Sequence, residues 1–248
     1  MSRIFLLGTD GFPFGMAAVQ KQFLIAKSLK EINNEVTVLS KKSFNKNSNI
    51  PFKGTFEGID YFYTNLSASE HRNKLVKHIT WFLGSILEKI KILFSSFDYA
   101  IVSSRSFIEI LEYSCICKIK GVKIYLTYVE DNDSMPSANS TFGKINNTFF
   151  NKYVWKIIDG AFPISHFLSE KIRRTNPLLP QMFLPVSVDL EYFNNLNQED
   201  INHQPYSYYL FCGAAGYLQT IKFIINGYLY CEYDKKLILV LNGNFSEL

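Results

Sequence analysis

The sequence is short of cysteine, of histidine and of long apolar runs, and each shortage removes a class of protein. Cys115, Cys117, Cys212 and Cys231 are the 4 cysteines in 248 residues. They are too few and too scattered for a disulfide scaffold, so a reducing, cytoplasmic compartment is expected. The Cys-Ile-Cys pair falls in FIEILEYSCICKIKG, which reads as a buried helix, and no further His or Cys stands at ligand spacing. Buried free thiols are expected there. His71, His78, His166 and His203 show no ligand spacing either. No apolar run approaches the roughly 20 residues that span a bilayer, and RIFLL before Gly8 is too short for a secretory signal. Net charge is only +4, with no Lys/Arg block. That disfavours nucleic acid and fits anionic small molecules or an anionic membrane face. Internal repeats and low-complexity segments are absent.

Apolar side chains are plentiful: 47% of residues are hydrophobic and 19% charged, a globular balance. Strand and helix signals alternate. RIFLLG, EVTVLS, IDYFYTN, DYAIVSS, VKIYLTYVE, DGAFPIS and QMFLPVSVD read as strands. Between them, MAAVQKQFLIAKSLKEI, NKLVKHITWFLGSILEKIKILF, SFIEILEYSCICKIKG, TFGKINNTFFNKYVWKII and HFLSEKIRRT read as helices. This rhythm predicts an α/β fold, a Rossmann-like parallel sheet with helices on both faces. LEYFNNLNQEDINHQPYS breaks it as an Asn/Gln-rich linker. A second strand–helix–strand pattern follows: YYLFCGA, YLQTIKFIINGYLYCEY, KKLILVLNG. The expected division is a domain over residues 1–189, a linker over 190–206 and a partial second Rossmann-like domain over 207–248. One such unit cannot cover both faces of a sheet, so the second domain is expected to be cut short.

The stretch GTDGFPFGMAAV, between the first strand and the first helix, has the layout of a phosphate-binding turn. Glycine lets backbone N–H groups approach an anion that the helix N-terminus attracts. The spacing is neither the dinucleotide G-x-G-x-x-G nor a P-loop, since no G-K-[ST] follows. A tight turn with glycines kept for packing is the competing reading.

Three stretches carry a resemblance. GFPFGMAAVQKQFLIAKSLKEINNEVTVLS resembles the opening of family 4 glycosyltransferases. DGAFPISHFLSEKI followed by QMFLPVSVDLEYF resembles that family's strand–Ser–helix unit and its exit from the first domain. YYLFCGAAGYLQTIKFIINGY resembles the start of its second domain. The resemblance implies a GT-B fold of two Rossmann-like domains, with the acceptor on the first and the nucleotide-sugar donor mostly on the second. It implies sugar transfer with retention and no essential metal or other cofactor. By the same resemblance Gly11, Gly15 and Gly213 are expected under the donor phosphates, and Gly8 only in the turn. Glu130 and Asp131 end a strand where catalytic polar groups sit, although many members carry His there. Ser165 and His166 lie at a similar edge, where Ser165 also reads as a helix cap and His166 as a helix-start surface residue. Asp131 and Asp133 also read as solvated loop acids, and Asp189 shapes the domain exit. Members place cations where this chain has Ala214 and Gln219; Lys222 is the substitute. The acidic pair that holds the donor is not found.

The long helix NKLVKHITWFLGSILEKIKILF aligns Leu75, Ile79, Phe82, Leu83, Ile86, Leu87, Ile90 and Leu93 beside Lys74, Lys77, His78, Lys89, Lys91 and Trp81. Either its apolar face fills the core, or it docks on an anionic leaflet as a peripheral contact. The expected function is sugar transfer from a nucleotide-sugar to a surface-polysaccharide or lipid-linked glycan acceptor, with this chain an incomplete, inactive piece. A non-catalytic acceptor-binding or scaffolding remnant is the alternative. A nucleotide-sugar epimerase comes third, lacking its NAD fingerprint and its Tyr-x-x-x-Lys pair.

Overall fold

The computed structural model describes residues 1–15, 17–42, 50–65, 67, 73–135, 140–190, 207–231 and 235–242. The chain divides into two units, Met1–Asp189 and Leu190–Leu248.

The first unit is built on seven strands: β1 (Arg3–Leu7), β2 (Glu35–Ser40), β3 (Lys53–Phe56), β4 (Ile59–Tyr63), β5 (Tyr99–Val102), β6 (Lys123–Tyr128) and β7 (Gly160–Pro163). They lie in the order β3-β4-β2-β1-β5-β6-β7. Every pair is parallel except β3 with β4. β1 shows why helices must cover both faces. Successive side chains of a strand alternate in direction, so Ile4 and Leu6 join one core while Phe5 and Leu7 join the other. α1 (Ala17–Glu31) covers the first face with Val19, Phe23 and Ala26. α2 (Lys74–Phe94), α3 (Phe107–Lys120) and α5 (Trp155–Ile157) supply the second, with α4 (Thr141–Phe149) before α5 and α6 (His166–Thr175) after β7. A π-helical stretch, Phe150–Val154, joins α4 to α5 and buries Phe150 and Val154.

Three expectations are corrected. The sheet is not wholly parallel, because KGTF adds an antiparallel edge strand through a turn at Glu57 and Gly58, both at positive φ. QMFLPVSVD is not a strand: Gln181 makes one isolated bridge to Ala161, and Met182 and Leu184 donate to Ala161 and Pro163. Pro180 and Pro185 lack the N–H that a continuous ladder needs. Among the cysteines only Cys117 is buried; Cys115, Cys212 and Cys231 are exposed free thiols.

The correction at α2 is larger. Its apolar residues face solvent: Leu75 is 69% exposed, Phe82 67%, Ile79 50% and Leu83 49%. The helix seats itself through Gly84, Glu88 and Ile92 instead. A Cβ on Gly84 would stand 2.6 Å from the Lys41 carbonyl and 2.9 Å from Asn65 Cβ. The missing side chain thus sets how closely the helix lies, and Thr64 Oγ1 donates to the Gly84 carbonyl at 2.7 Å.

In the second unit β8 (Tyr208–Ala214) and β9 (Lys236–Asn242) pair in parallel, with α7 (Leu218–Leu229) as the crossover. Most of the expected 190–206 linker lies outside the described residues.

Candidate active site

In the first unit a cavity of about 720 Å³ opens where β1, β5, β6 and β7 end. Ligands of open α/β sheets bind outside these carboxyl ends of the strands. Gly8, Thr9 and Asp10 line it after β1, Ser103, Ser104 and Arg105 after β5, and Thr127 to Glu130 at the end of β6. Ile164, Val186 and Ser187 follow after β7, and Ala17, Ala18, Gln20, Lys21 and Leu24 come from the start of α1. Gly8 has φ +83°, and a Cβ there would stand 2.9 Å from the Ser103 carbonyl oxygen. The left-handed backbone and the close approach of two strand ends both demand glycine. Ser103 and Thr127 hydroxyls meet at 2.7 Å across the strand ends.

The floor leads into a buried charged network. The Asp10 carboxylate accepts from the backbone N–H of Lys41 at 2.9 Å and lies 3.7 Å from Lys42 Nζ. Burial raises its pKa against the pull of Lys41 and Lys42. Lys41 is ion-paired with Glu109. Glu109 also accepts from Ser104 at 2.6 Å and lies 2.9 Å from the Tyr113 hydroxyl. Burial would raise the Glu109 carboxyl, but Lys41 and these hydroxyls outweigh it and hold the pKa down. Burial pushes Glu88 up to about 8, against its bond from Tyr113.

The residues singled out in the sequence separate. Glu130 lines the cavity, 3.4 Å from Arg105. Asp131 caps a short 3-10 turn and accepts from Lys171 at 2.5 Å, and Asp133 accepts from the same ammonium at 2.7 Å. The bond from Lys171 holds the Asp133 carboxyl below its ordinary value. Ser165 caps α6, accepting from the Leu168 N–H at 3.3 Å. His166 stacks on Phe183 at 4.8 Å. Asp189 pairs with Lys27 of α1 at 3.1 Å. Gly11, buried at φ 97°, and Gly15, whose missing Cβ faces Val19, do not border the cavity. In the second unit Gly213 lies in β8 beside the Phe211 ring, and Lys222 is exposed on α7. Among the described residues no three His, Cys, Asp or Glu side chains converge as a metal site.

Sequence reasoning passed over Asp10, Lys21, Lys42, Ser103, Ser104, Arg105 and Thr127. The signal was available for Ser103 to Arg105, which directly follow β5, since residues just past a parallel strand face the ligand end of the sheet.

No family model matches the chain, and no curated protein matches it in sequence. Solved structures do. Sucrose-phosphate synthase from Thermosynechococcus elongatus matches at a TM-score of 0.70 with 10% identity, over 98% of this chain and 63% of that one. The catalytic domain of starch synthase IV from Arabidopsis thaliana, bound to ADP and acarbose, matches at 0.55 with 8% identity, over 97% of this chain and 68% of that one. The chain thus spans about 63% of the length of the sucrose-phosphate synthase it resembles. At such low identity the likeness concerns architecture: the chain has the α/β, Rossmann-like fold found in these GT-B glycosyltransferases.

Proposed function

We propose that the chain belongs to a retaining glycosyltransferase of the family 4 type, moving a sugar from a nucleotide-sugar to a lipid-linked glycan acceptor in surface-polysaccharide synthesis. The observation that carries this reading is the cavity at the strand ends with Glu130 and Arg105 on its rim; the fold likeness supports it. The acceptor occupies this cavity and the donor's nucleotide belongs to the second unit, with Gly213 and Lys222 as its phosphate contacts. Transfer breaks the bond between the sugar C1 and the diphosphate oxygen and forms one to an acceptor oxygen that attacks from the same face, so the configuration at C1 is retained and the nucleoside diphosphate leaves. Glu130 orients the attacking hydroxyl and accepts its proton, general-base help of about 10²–10⁴-fold. Asp131, held by Lys171, fixes the loop that carries Glu130, and Ser165 and His166 follow Ile164 of the lining. No metal takes part in this scheme.

The lipid linkage rests on α2. Its exposed apolar residues are flanked by Lys74, Lys77 and Lys91, with Lys77 over the Trp81 ring at 4.5 Å. An amphipathic helix of this kind lies in an anionic leaflet with the apolar side down and the basic rim on the headgroups. The enzyme works at the cytoplasmic face.

Ala214 and Gln219, standing where members of the family carry cations, favour a second reading: a non-catalytic acceptor-binding or scaffolding protein. The test is incubation with UDP-, GDP- and ADP-hexoses and an extracted lipid-linked acceptor pool. Sugar transfer that falls in Glu130→Gln supports the enzyme. Acceptor binding without transfer supports the second reading.

A further inference from the structure

Lys21 stands on the second turn of α1 and lines the cavity. Its Nζ is buried and meets no hydrogen-bond partner among the described residues. A buried ammonium without an acceptor is costly, and folded proteins pair such groups almost without exception. The other charges around the cavity are matched. Lys42 lies by Asp10, and Arg105 by Glu130. Among the described residues that line the cavity, three cations thus face two carboxylates, and Lys21 is the one left over. Burial alone lowers its pKa, since no anion stands near enough to restore it. The first turn of α1 lines the same cavity and its N–H groups attract anions, with the Ser103–Thr127 hydroxyl pair as a further donor; the Ser104 hydroxyl is already given to Glu109. Apolar Leu24, Ile164 and Val186 give another part of the cavity an apolar wall.

We propose that Lys21 is the counter-charge of a phosphate group carried by the acceptor, so that the acceptor is a phosphorylated sugar or a sugar joined to lipid through phosphate. That the phosphate belongs to an acceptor rests on the glycosyltransferase reading; that a phosphate binds at Lys21 does not. A helix N-terminus and hydroxyls alone would hold a phosphate weakly. The ammonium supplies the charge-assisted bond and gains an acceptor for its protons.

Titration calorimetry of the whole chain with inorganic pyrophosphate tests the site. Binding is expected, and Lys21→Gln should weaken it about ten- to a hundredfold. Lys21→Arg should retain it. Without ligand, Lys21→Gln should melt no lower than the parent, because it removes an unpaired buried charge. Absence of pyrophosphate binding, or equal binding by Lys21→Gln, would overturn the proposal. Competition separates the sources. Displacement by a hexose phosphate identifies a soluble acceptor, and displacement by an isoprenyl phosphate a lipid-linked one. Displacement by UDP alone overturns the acceptor assignment. If pyrophosphate binds through Lys21 and no sugar transfer occurs, the site stands and the transferase reading fails. If transfer occurs and Lys21→Gln leaves its KM for a phosphorylated acceptor unchanged, the site fails and the transferase stands.

Discussion

The Glu88 carboxylate, carried by α2, accepts a hydrogen bond from the Tyr113 hydroxyl of α3 at 2.6 Å, with both residues buried. Burial raises Glu88 from 4.5 to about 8, so at neutral pH its folded form holds a proton. An unfolded chain has released that proton. Stability from this group is therefore fully present below about pH 4.5, falls as pH rises toward about 8, and is level above. Glu88→Gln keeps the shape and removes the titration. Its thermal denaturation should lose this part of the decline between those limits, leaving the variant more stable than the parent at pH 8 by on the order of 1–3 kcal/mol. An unchanged pH profile would mean that Glu88 is ionised and paired in the fold.

Gly84→Val should loosen α2 from the unit. The added side chain meets the Lys41 carbonyl and the Asn65 backbone, neither of which can turn away. Overpacking of this kind costs about 1–3 kcal/mol, read as a lower denaturation midpoint in urea. The same carbonyl belongs to the residue whose ammonium pairs with Glu109, so the Glu88 titration should shift as well.

Phe82→Ser with Leu83→Ser should behave in the opposite way. Both side chains face solvent, at 67% and 49% exposure, and surface changes usually stay within about 0.5 kcal/mol. Melting should hardly move. Sedimentation with phosphatidylglycerol vesicles should fall sharply, while phosphatidylcholine vesicles capture neither protein. Undiminished pelleting with anionic vesicles would remove α2 from the membrane contact.

Glu130→Gln is expected to separate activity from stability. Glu130 and Arg105 are both exposed and 3.4 Å apart, and an exposed pair contributes about 0–1 kcal/mol. The melting temperature should stay close to the parent's, while sugar transfer should drop about 10²–10⁴-fold. A variant with full activity would assign the acceptor's proton to another group.

The residues past the strand ends show where reading the chain stopped. Glu130 was visible because a strand with a clear apolar pattern ends two residues before it. Asp10 and Lys42 were not, since nothing in their own neighbourhood says that Lys41 reaches Glu109, 68 positions away. KGTF was missed because Glu-Gly is a weak hairpin signal beside Asn-Gly or Asp-Gly.

Local pattern sufficed for the alternation of strands and helices, because side-chain periodicity is a property of adjacent residues. It sufficed too for helix limits such as Gly121, which closes α3 at φ 67°. It did not settle which way α2 turns. Its eight aligned apolar residues would fill a core as readily as they face solvent, and hydrophobic transfer is not directional. The choice was made by Gly84, whose missing Cβ lets the helix backbone close onto the Lys41 carbonyl, and by Glu88, drawn inward to Tyr113. Likewise the charge left over at Lys21 exists only once folding has matched Lys42 to Asp10 and Arg105 to Glu130. Pairing depends on distances across the fold, and a linear order of residues does not contain those.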